Sequence, residues 1–235
     1  MKKKAKKIKA VFLDAGGTLF RPYPSVGEIY ARTAARFGTD SDPEVLESEF
    51  LAAWNRRGGL SSLGEETNEV KERAWWHSLV REVFESSGGV SRFEEFFEAL
   101  HRSFEEKHLW EIYPEVLDAL RDLKAAGLTL AIVSNWDLRL PRLVRNLGLA
   151  DYFDFLLSSS VCGATKPSPK IFHEALAQAK VAPHEAVHVG DTYDEDFVGA
   201  SRVGIHALLI DRSGTGNSVP KEAKLRSLAE LRDWI

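Results

Sequence analysis

The sequence predicts an α/β protein with a doubly wound parallel sheet and an inserted all-helical segment. Two observations support this fold class: apolar strand-like runs alternate with helical patterns from Leu128 onward, and residues 25–109 follow a helical pattern almost throughout. Alternating strands and helices of this length form a parallel sheet. We therefore predict a core built from residues 1–22 and 113–235, with a helical unit at residues 23–112.

The first predicted strand runs directly into a carboxylate. The apolar stretch Val11 to Leu13 ends at Asp14, and the pair Gly16 and Gly17 follows. This pattern is typical of a short buried strand that ends in a tight turn. Open α/β sheets bind ligands at the carboxyl ends of their strands, although an Asp that only initiates a turn would give the same local pattern.

The inserted segment carries four apolar stripes at helical spacing. They consist of Val26, Ile29, Tyr30, Thr33 and Phe37; Leu46, Phe50 and Trp54; Trp76, Val80 and Val83; and Phe93, Phe96, Phe97, Leu100 and Phe104. The spacing predicts core packing for Trp76, with Trp75 pointing elsewhere, although either ring could line a ligand pocket. Residues 56–64, rich in Arg, Gly and Ser, are either a solvated linker or a loop that contacts phosphate or carboxylate.

Strands and helices alternate after the inserted segment. The predicted elements are a helix from Pro114 to about Gly127, a strand at 128–133, a helix at 138–147, a strand at 153–157, a helix at 168–179, strands at 186–189 and 206–210, and a closing helix at 221–235. His188 and His206 fall in strand patterns and are expected to be core residues.

Polar residues cluster where these predicted strands end or a helix begins. They are Ser134-Asn135, Lys166-Pro167, Gly190-Asp191 and the acidic run Asp194, Glu195 and Asp196. In a parallel sheet such ends meet at one edge. There Asp14 could attack phosphorus, and paired carboxylates could hold Mg²⁺. Ser134 and the Asn135 amide could bind phosphoryl oxygens, with Lys166 neutralising their charge.

These residues resemble the four motifs of the haloacid dehalogenase superfamily of hydrolases. The first motif resembles Asp14 to Leu19, the second Ser134-Asn135, the third Lys166-Pro167, and the fourth Gly190-Asp191 through Asp196. The order and spacing of the motifs agree, and four short motifs in order are more specific than any single one. The resemblance implies a Rossmann-like core, a helical cap that closes over the active site, and a small phosphorylated substrate.

The predicted site contains three sets of residues. They are the catalytic set Asp14, Ser134 and Lys166; the substrate-binding set Asn135, Thr18 and Arg21; and the magnesium set Asp14, Gly16 through its carbonyl, Asp191 and Asp196. The resemblance implies Asp14 as the nucleophile that forms an aspartyl-phosphate. It also implies Mg²⁺ as the cofactor, with Asp196 lying behind the direct ligands or reaching the ion through water.

Gly16 departs from the motif of the phosphatases in this superfamily, which carry an Asp there as general acid and base. A positioned acid or base accelerates a reaction about 10²- to 10⁴-fold, roughly 3 to 5 kcal/mol of barrier. The sequence therefore predicts a weak phosphatase or one that prefers good leaving groups such as acyl phosphates. Asp137 could supply the proton, although we favour a helix-capping role for it.

Three other functions remain open at this point. Dehalogenases of the superfamily also lack the second Asp, but they need no metal and lack the Gly190-Asp191 signature. Phosphonate-cleaving members lack the second Asp and keep magnesium, but they use a cap lysine that we do not identify in this chain. A protein that lost its acid/base could also bind a phosphorylated ligand or a partner without catalysis.

Composition narrows the class of protein. The formal net charge of −4 and pI of about 6.0 argue against a general nucleic-acid surface. A single cysteine, Cys162, cannot form an internal disulfide, which suits a reducing, cytoplasmic compartment. We expect no membrane partner, and a monomer or a homodimer.

The first nine residues contain six lysines. The apolar run that follows them stops at Asp14, which is too short for a signal-peptide core or a membrane span. We expect a solvated, partly disordered basic leader.

Overall fold

A computed structural model describes residues 7–214 and 219–235. The strands are β1 (Ala10–Leu13), β2 (Phe20–Pro22), β3 (Trp110–Ile112), β4 (Thr129–Ser134), β5 (Phe155–Ser158), β6 (Ala186–Gly190), β7 (His206–Ile210) and β8 (Lys224–Leu225). Six of them form a parallel sheet in the order β5-β4-β1-β6-β7-β8. The predicted α/β class with a doubly wound parallel sheet is confirmed.

Strand β1 lies where the chain changes its direction of winding through the sheet. It pairs with β4 on one side and with β6 on the other, so that Leu13 is in register with both Ile132 and Val189. The crevice at the carboxyl ends of such central strands is where open α/β sheets bind ligands. The residues that follow β1, β4 and β6 therefore meet at one edge.

The described part of the chain also contains nine α-helices. They are α1 (Val26–Ala35), α2 (Pro43–Arg57), α3 (Glu69–Glu85), α4 (Phe93–Ser103), α5 (Val116–Ala125), α6 (Leu140–Asn146), α7 (Ser159–Cys162), α8 (Pro169–Ala179) and α9 (Gly199–Arg202). Helices cover both faces of the sheet, and successive side chains of each strand point to opposite faces. Val11 and Leu13 pack with α5 and α6, whereas Phe12 packs with α8 and α9.

Helices α1 to α4 form a unit with its own apolar core. This core includes Ile29, Leu79 and Phe84, and it is separate from the clusters on the two faces of the sheet. The unit is inserted between β2 and β3, which pair antiparallel as Phe20 with Ile112. The sequence pattern did not predict this two-stranded connection. The division at residues 23–112 stays a prediction, because β3 lies within the proposed helical range.

Local capping explains where helices of this unit begin and end. Helix α2 begins at Pro43, after an Asp42 side chain that accepts a hydrogen bond from the Glu44 amide at 2.8 Å. It ends at Gly58, whose φ of 72° is a left-handed conformation that favours glycine. Arg56 and Arg57 at this end both pair with Glu82 of α3. The two arginines are therefore held on the helical unit, against the hypothesis that they serve a mobile phosphate-binding loop.

Several sequence predictions were wrong. The C-terminal segment is not one helix but two 3₁₀ turns, Lys221–Ala223 and Leu228–Trp234, around β8. His206 is exposed rather than in the core, while His188 is fully buried as expected.

The positions predicted for the two tryptophans of α3 are reversed in the structure. Trp75 is the more buried ring, only 9% exposed, and Trp76 is partly exposed and faces a cavity.

Residues 1–6 of the predicted basic leader lie outside the described part of the chain. No helix in residues 7–214 and 219–235 is long and apolar enough to cross a membrane.

A buried carboxyl joins the helical unit to the core. Glu72 of α3 is fully buried, and its Oε1 accepts a hydrogen bond of 2.7 Å from the hydroxyl of Ser159 at the start of α7. Burial raises the pKa of Glu72 to about 7. Burial therefore favours the protonated carboxyl, although the hydrogen bond from Ser159 opposes this shift. A backbone contact also joins the two parts, since the Thr165 amide donates to the Gly64 carbonyl at 3.0 Å.

We predict that Glu72 makes the stability of the protein fall as pH rises. A folded-state pKa above the unfolded value stabilises the fold at low pH, and this contribution is lost as pH rises through about 7. Between pH 5 and 8 the loss should be about 2 to 3 kcal/mol relative to Glu72→Gln. Urea denaturation at both pH values measures it. The exposed Glu85→Gln on the same helix is the control, and equal pH dependence of wild type and Glu72→Gln would contradict the prediction.

Candidate active site

Asp14 lies at the carboxyl end of β1, in a turn built around glycine. Its amide donates to the Val189 carbonyl at 2.9 Å, which ties the end of β1 to β6. Gly17 has φ of 75°, and a Cβ at this position would overlap the Asp191 carboxylate. Only glycine fits here, because the position requires both a left-handed backbone and the space that the carboxylate occupies.

Lys166 places its charge between two carboxylates. Its Nζ lies 2.5 Å from Oδ1 of Asp14 and 2.5 Å from Oδ1 of Asp196, and the side chain is 1% exposed. Burial by itself lowers the pKa of an ammonium, but Asp14 and Asp196 raise the pKa of Lys166 above its usual range. Lys166 therefore stays charged at neutral pH.

Asn135 positions this lysine. Its Oδ1 accepts a hydrogen bond from the Lys166 amide at 2.6 Å, and its Nδ2 donates to the Lys166 carbonyl at 3.0 Å. Nδ2 also donates to Glu195 at 2.8 Å. The side-chain amide of Asn135 is thus occupied within the protein, so the expected contact of this residue with substrate falls to its backbone.

Asp196 is held from three directions. Besides the contact with Lys166, its Oδ1 lies 2.8 Å from Nε2 of His188, and its Oδ2 accepts from the Thr192 amide at 3.0 Å. Burial raises the pKa of Asp196, but Lys166 and His188 outweigh it and hold that pKa well below its usual range. The residue sits in a π-helical turn, Tyr193–Val198, directly after β6.

Three carboxylates are close enough to share a cation. Asp14, Asp191 and Asp196 each offer an oxygen, and these oxygens lie within 4.8 Å of one another. Hard oxygen donors in such a group suit Mg²⁺. Both oxygens of Asp196 already have protein partners, which fits the prediction that this residue acts through water better than direct ligation. Burial raises the pKa of Asp14, while Lys166 and the Ser134 hydroxyl oppose the shift.

A cavity of about 350 Å³ lies over these groups. Its catalytic end includes Asp14, Gly16, Ser134, Asn135 and Asp191. Gly16 does not share the positive φ of Gly17, and a Cβ there would lie 3.3 Å from Cζ3 of Trp136.

Two of the expected substrate-binding residues do not reach the cavity. Thr18 and Arg21 are not among the described residues that line it. Arg21 is exposed and pairs with Glu111 across the β2–β3 connection at 2.6 Å. Thr18 is buried, and its carbonyl accepts a hydrogen bond of 2.7 Å from Arg212. Their predicted contacts with substrate are not supported by this geometry.

Asp137 does not fit the role of proton donor. It is fully buried, and both of its oxygens accept hydrogen bonds from the Arg139 guanidinium at 2.6 to 3.0 Å. Although burial raises the pKa of Asp137, His101 and Arg139 hold it far below the usual range. Its Oδ1 also accepts from the Arg139 amide at 3.0 Å, in the turn before α6. The favoured capping role is wrong, because the N-cap of α6 is Arg139 and no side chain caps this helix.

Sequence reasoning missed two residues of the site. Arg212 follows β7 and donates to the carbonyls of Gly17 and Thr18, so it holds the turn after Asp14 in place. Its position at the carboxyl end of a strand was the available signal. Glu195 lines the cavity, and burial raises its pKa to about 7. The sequence showed it only as one member of an acidic run.

Comparisons with known proteins agree with this arrangement. The family model of the haloacid dehalogenase-like hydrolases matches residues 8–204. Haloacid dehalogenase-like hydrolase domain-containing protein 3 of Homo sapiens is 34% identical over 231 residues, 95% of this chain and 92% of that protein. A phosphoserine phosphatase of Thermus thermophilus is 36% identical over 194 residues, 80% of this chain and 74% of its own length.

A solved structure is also similar over nearly its whole length. A HAD phosphatase from Thermococcus onnurineus has a TM-score of 0.69 and 27% identity, covering 97% of each chain. The matched region of the family model runs from before Asp14 to beyond Asp196 and so includes all four motifs. The chain therefore belongs to the haloacid dehalogenase-like hydrolases.

Proposed function

We propose that this hydrolase removes a phosphoryl group from a small metabolite through an aspartyl-phosphate on Asp14, with Mg²⁺ as cofactor. The observation that carries the proposal is the contact between Asp14 and the buried Lys166 at the end of a cavity, with Asp191 and Asp196 within 4.8 Å. A carboxylate nucleophile beside a fixed cation suits attack on a phosphoryl group.

The chemistry proceeds in two displacements. An oxygen of Asp14 attacks phosphorus, and the bond from phosphorus to the leaving oxygen breaks, giving the aspartyl-phosphate and the leaving group as a carboxylate, or as an alkoxide that takes a proton from water. Water then attacks phosphorus, and the bond to Asp14 breaks, releasing inorganic phosphate and restoring the carboxylate. Lys166 and Ser134 stabilise negative charge on the phosphoryl oxygens throughout.

Asp14, Asp191 and the Gly16 carbonyl would hold the magnesium ion, with Asp196 contributing through water. The bound ion would supply charge neutralisation at the phosphoryl group. The three carboxylates repel one another without a cation, and Lys166 alone compensates only part of their charge.

Gly16 cannot donate a proton to the leaving group. The nearby Asp137 is neither open to the cavity nor protonated at neutral pH, so it does not replace that function. The site therefore favours substrates whose leaving group departs without protonation, such as acyl phosphates.

The helical unit at residues 23–112 would act as a cap. Its helices supply much of the cavity lining, and its contacts with the core include the Glu72–Ser159 hydrogen bond, the Thr165–Gly64 backbone bond and the Arg142–Glu105 ion pair. Closure would exclude water during chemistry, and product release would require the cap to open.

We predict that Mg²⁺ binding depends on Asp191 and turnover on Asp14. Asp191→Asn removes one carboxylate ligand and should weaken Mg²⁺ binding by at least about tenfold in calorimetry. Asp14→Asn should remain folded and lose magnesium-dependent hydrolysis of acetyl phosphate, because an amide oxygen is not an effective nucleophile.

Asp194→Asn is the matched control for the metal. It makes the same change in charge at an exposed neighbour outside the three-carboxylate cluster, so affinity should stay unchanged. Equal loss in both variants would contradict the assigned site. Turnover of 2-haloacids that survives chelation would instead establish a dehalogenase, and ligand binding without turnover would establish a binding protein.

We predict that Gly16→Asp restores the missing acid. Residue 16 has no positive φ that would disfavour a side chain, and a Cβ there requires the Trp136 ring to move by a few tenths of an ångström. The value of kcat/KM for butyl phosphate should rise by up to about 10²- to 10⁴-fold, and much less for acetyl phosphate. Gly16→Asn has the same size but no acidic proton. Equal acceleration by the Asn and Asp variants would mean that the effect is not acid catalysis.

A further inference from the structure

The cavity over Asp14 has two unlike ends. The catalytic end carries the carboxylates and the polar residues that follow β1, β4 and β6. The other end is built almost entirely from hydrocarbon and aromatic side chains of the helical unit. Its lining there includes Val26, Phe50, Leu51, Trp54, Leu60, Trp76, Val80, Phe97, Leu100 and Phe104.

Aromatic rings form much of this apolar wall. Trp54 of α2 and Trp76 of α3 lie with ring centroids 5.6 Å apart, and Phe50 lies 6.0 Å from Trp54. Both tryptophans are only partly buried although they belong to the apolar core of the unit. Part of each ring surface therefore remains available to a ligand in the cavity.

The arginine at this cavity is already occupied. Of the described lining residues, only Arg139 and His101 can carry positive charge. Arg139 uses Nε and Nη2 on Asp137 and Nη1 on the His101 carbonyl. The His101 ring has Nδ1 3.3 Å from Arg73, while its Nε2 lies 3.6 Å from Asp137 and has no hydrogen-bond partner. No arginine or lysine of the described lining is therefore free to pair with a second charge on a substrate.

This lining disfavours substrates with charge outside the phosphoryl group. A carboxylate or second phosphate would leave water and find no free arginine or lysine in the apolar end, where the His101 ring offers a single unpaired nitrogen, and an ammonium would find no carboxylate there, which is costly. Phosphoserine, the substrate named by one relative, carries both a carboxylate and an ammonium group. An apolar organic group would instead gain affinity from every buried methylene.

We propose that the substrate is an acyl phosphate or phosphate ester whose organic group is an uncharged hydrocarbon chain or ring. This inference rests on the proposed phosphoryl hydrolysis and adds the nature of the group to which the phosphate is attached. Catalysis then comes from the sheet edge, and substrate selection from the aromatic wall of the helical unit.

A series of saturated acyl phosphates tests the proposal. The leaving groups of acetyl, butanoyl and hexanoyl phosphate have nearly the same basicity, so differences in kcat/KM report binding of the hydrocarbon chain. Each methylene should raise kcat/KM about fourfold, and hexanoyl should exceed acetyl phosphate by about 10²-fold. Rates for Asp14→Asn supply the uncatalysed background, and phosphoserine is assayed beside the series.

Variants of the wall assign the preference to it. Trp76→Ala should reduce the hexanoyl-to-acetyl ratio by about tenfold, since it removes apolar contact area. Val70 lies on the same helix and is 76% exposed, so Val70→Ala is the control and should leave the ratio unchanged. Leu51→Gln provides a second test at a more exposed lining position, with Val45→Gln on the same helix as its control.

The outcomes separate the two proposals. If no acyl phosphate is hydrolysed faster than by Asp14→Asn, the proposed phosphoryl hydrolysis fails. If acetyl phosphate is hydrolysed but the ratio is near one, or phosphoserine is hydrolysed as efficiently as hexanoyl phosphate, the inference about the substrate is overturned and the hydrolysis stands. A chain-length preference that Trp76→Ala and Leu51→Gln leave unchanged would also overturn it.

Discussion

The ion cluster around Lys166 is the interaction on which the site depends. Its ammonium bridges Asp14, 152 residues away in the chain, and Asp196, 30 residues away. Removing one partner of such a buried pair typically costs about 3 to 5 kcal/mol, because a buried charge is left uncompensated. The cluster therefore holds the ends of β1 and β6 and the segment before α8 in one arrangement, which also positions Asp14, the proposed nucleophile.

The backbone around the cluster is shaped to leave room for carboxylates. Gly17 makes space for Asp191, and a Cβ at Gly190 would overlap the carboxylate of Asp196. Arg212 then secures the turn by binding its carbonyls from the end of β7. Gly16 differs from these glycines, because a Cβ there would lie 3.3 Å from the Trp136 ring and would not overlap a carboxylate. The missing side chain at Gly16 has a chemical consequence, because the phosphatases of the superfamily carry their proton donor at this position.

The two parts of the molecule contribute different properties to one cavity. The sheet edge supplies the charged and hydrogen-bonding groups that we propose act on a phosphoryl group, and these lie in the region that matches the family model. Helices α1 to α4 supply an apolar wall whose aromatic residues also hold the unit together. The same rings stabilise the helical unit and line the cavity, so the proposed selection of substrate would be coupled to the packing of this unit.

The sequence by itself determined the fold class and the main members of the site. Period-two and helical patterns are local, so they located most strands and helices, and the carboxyl ends of parallel strands predicted that Asp14, Ser134, Lys166 and Asp191 meet. The contacts that individual side chains make were not contained in these local patterns. Only the tertiary structure decided that Arg21 pairs with Glu111, that Asn135 positions Lys166, and which face of α3 meets the cavity. These outcomes depend on contacts between segments far apart in the chain, which no local pattern encodes.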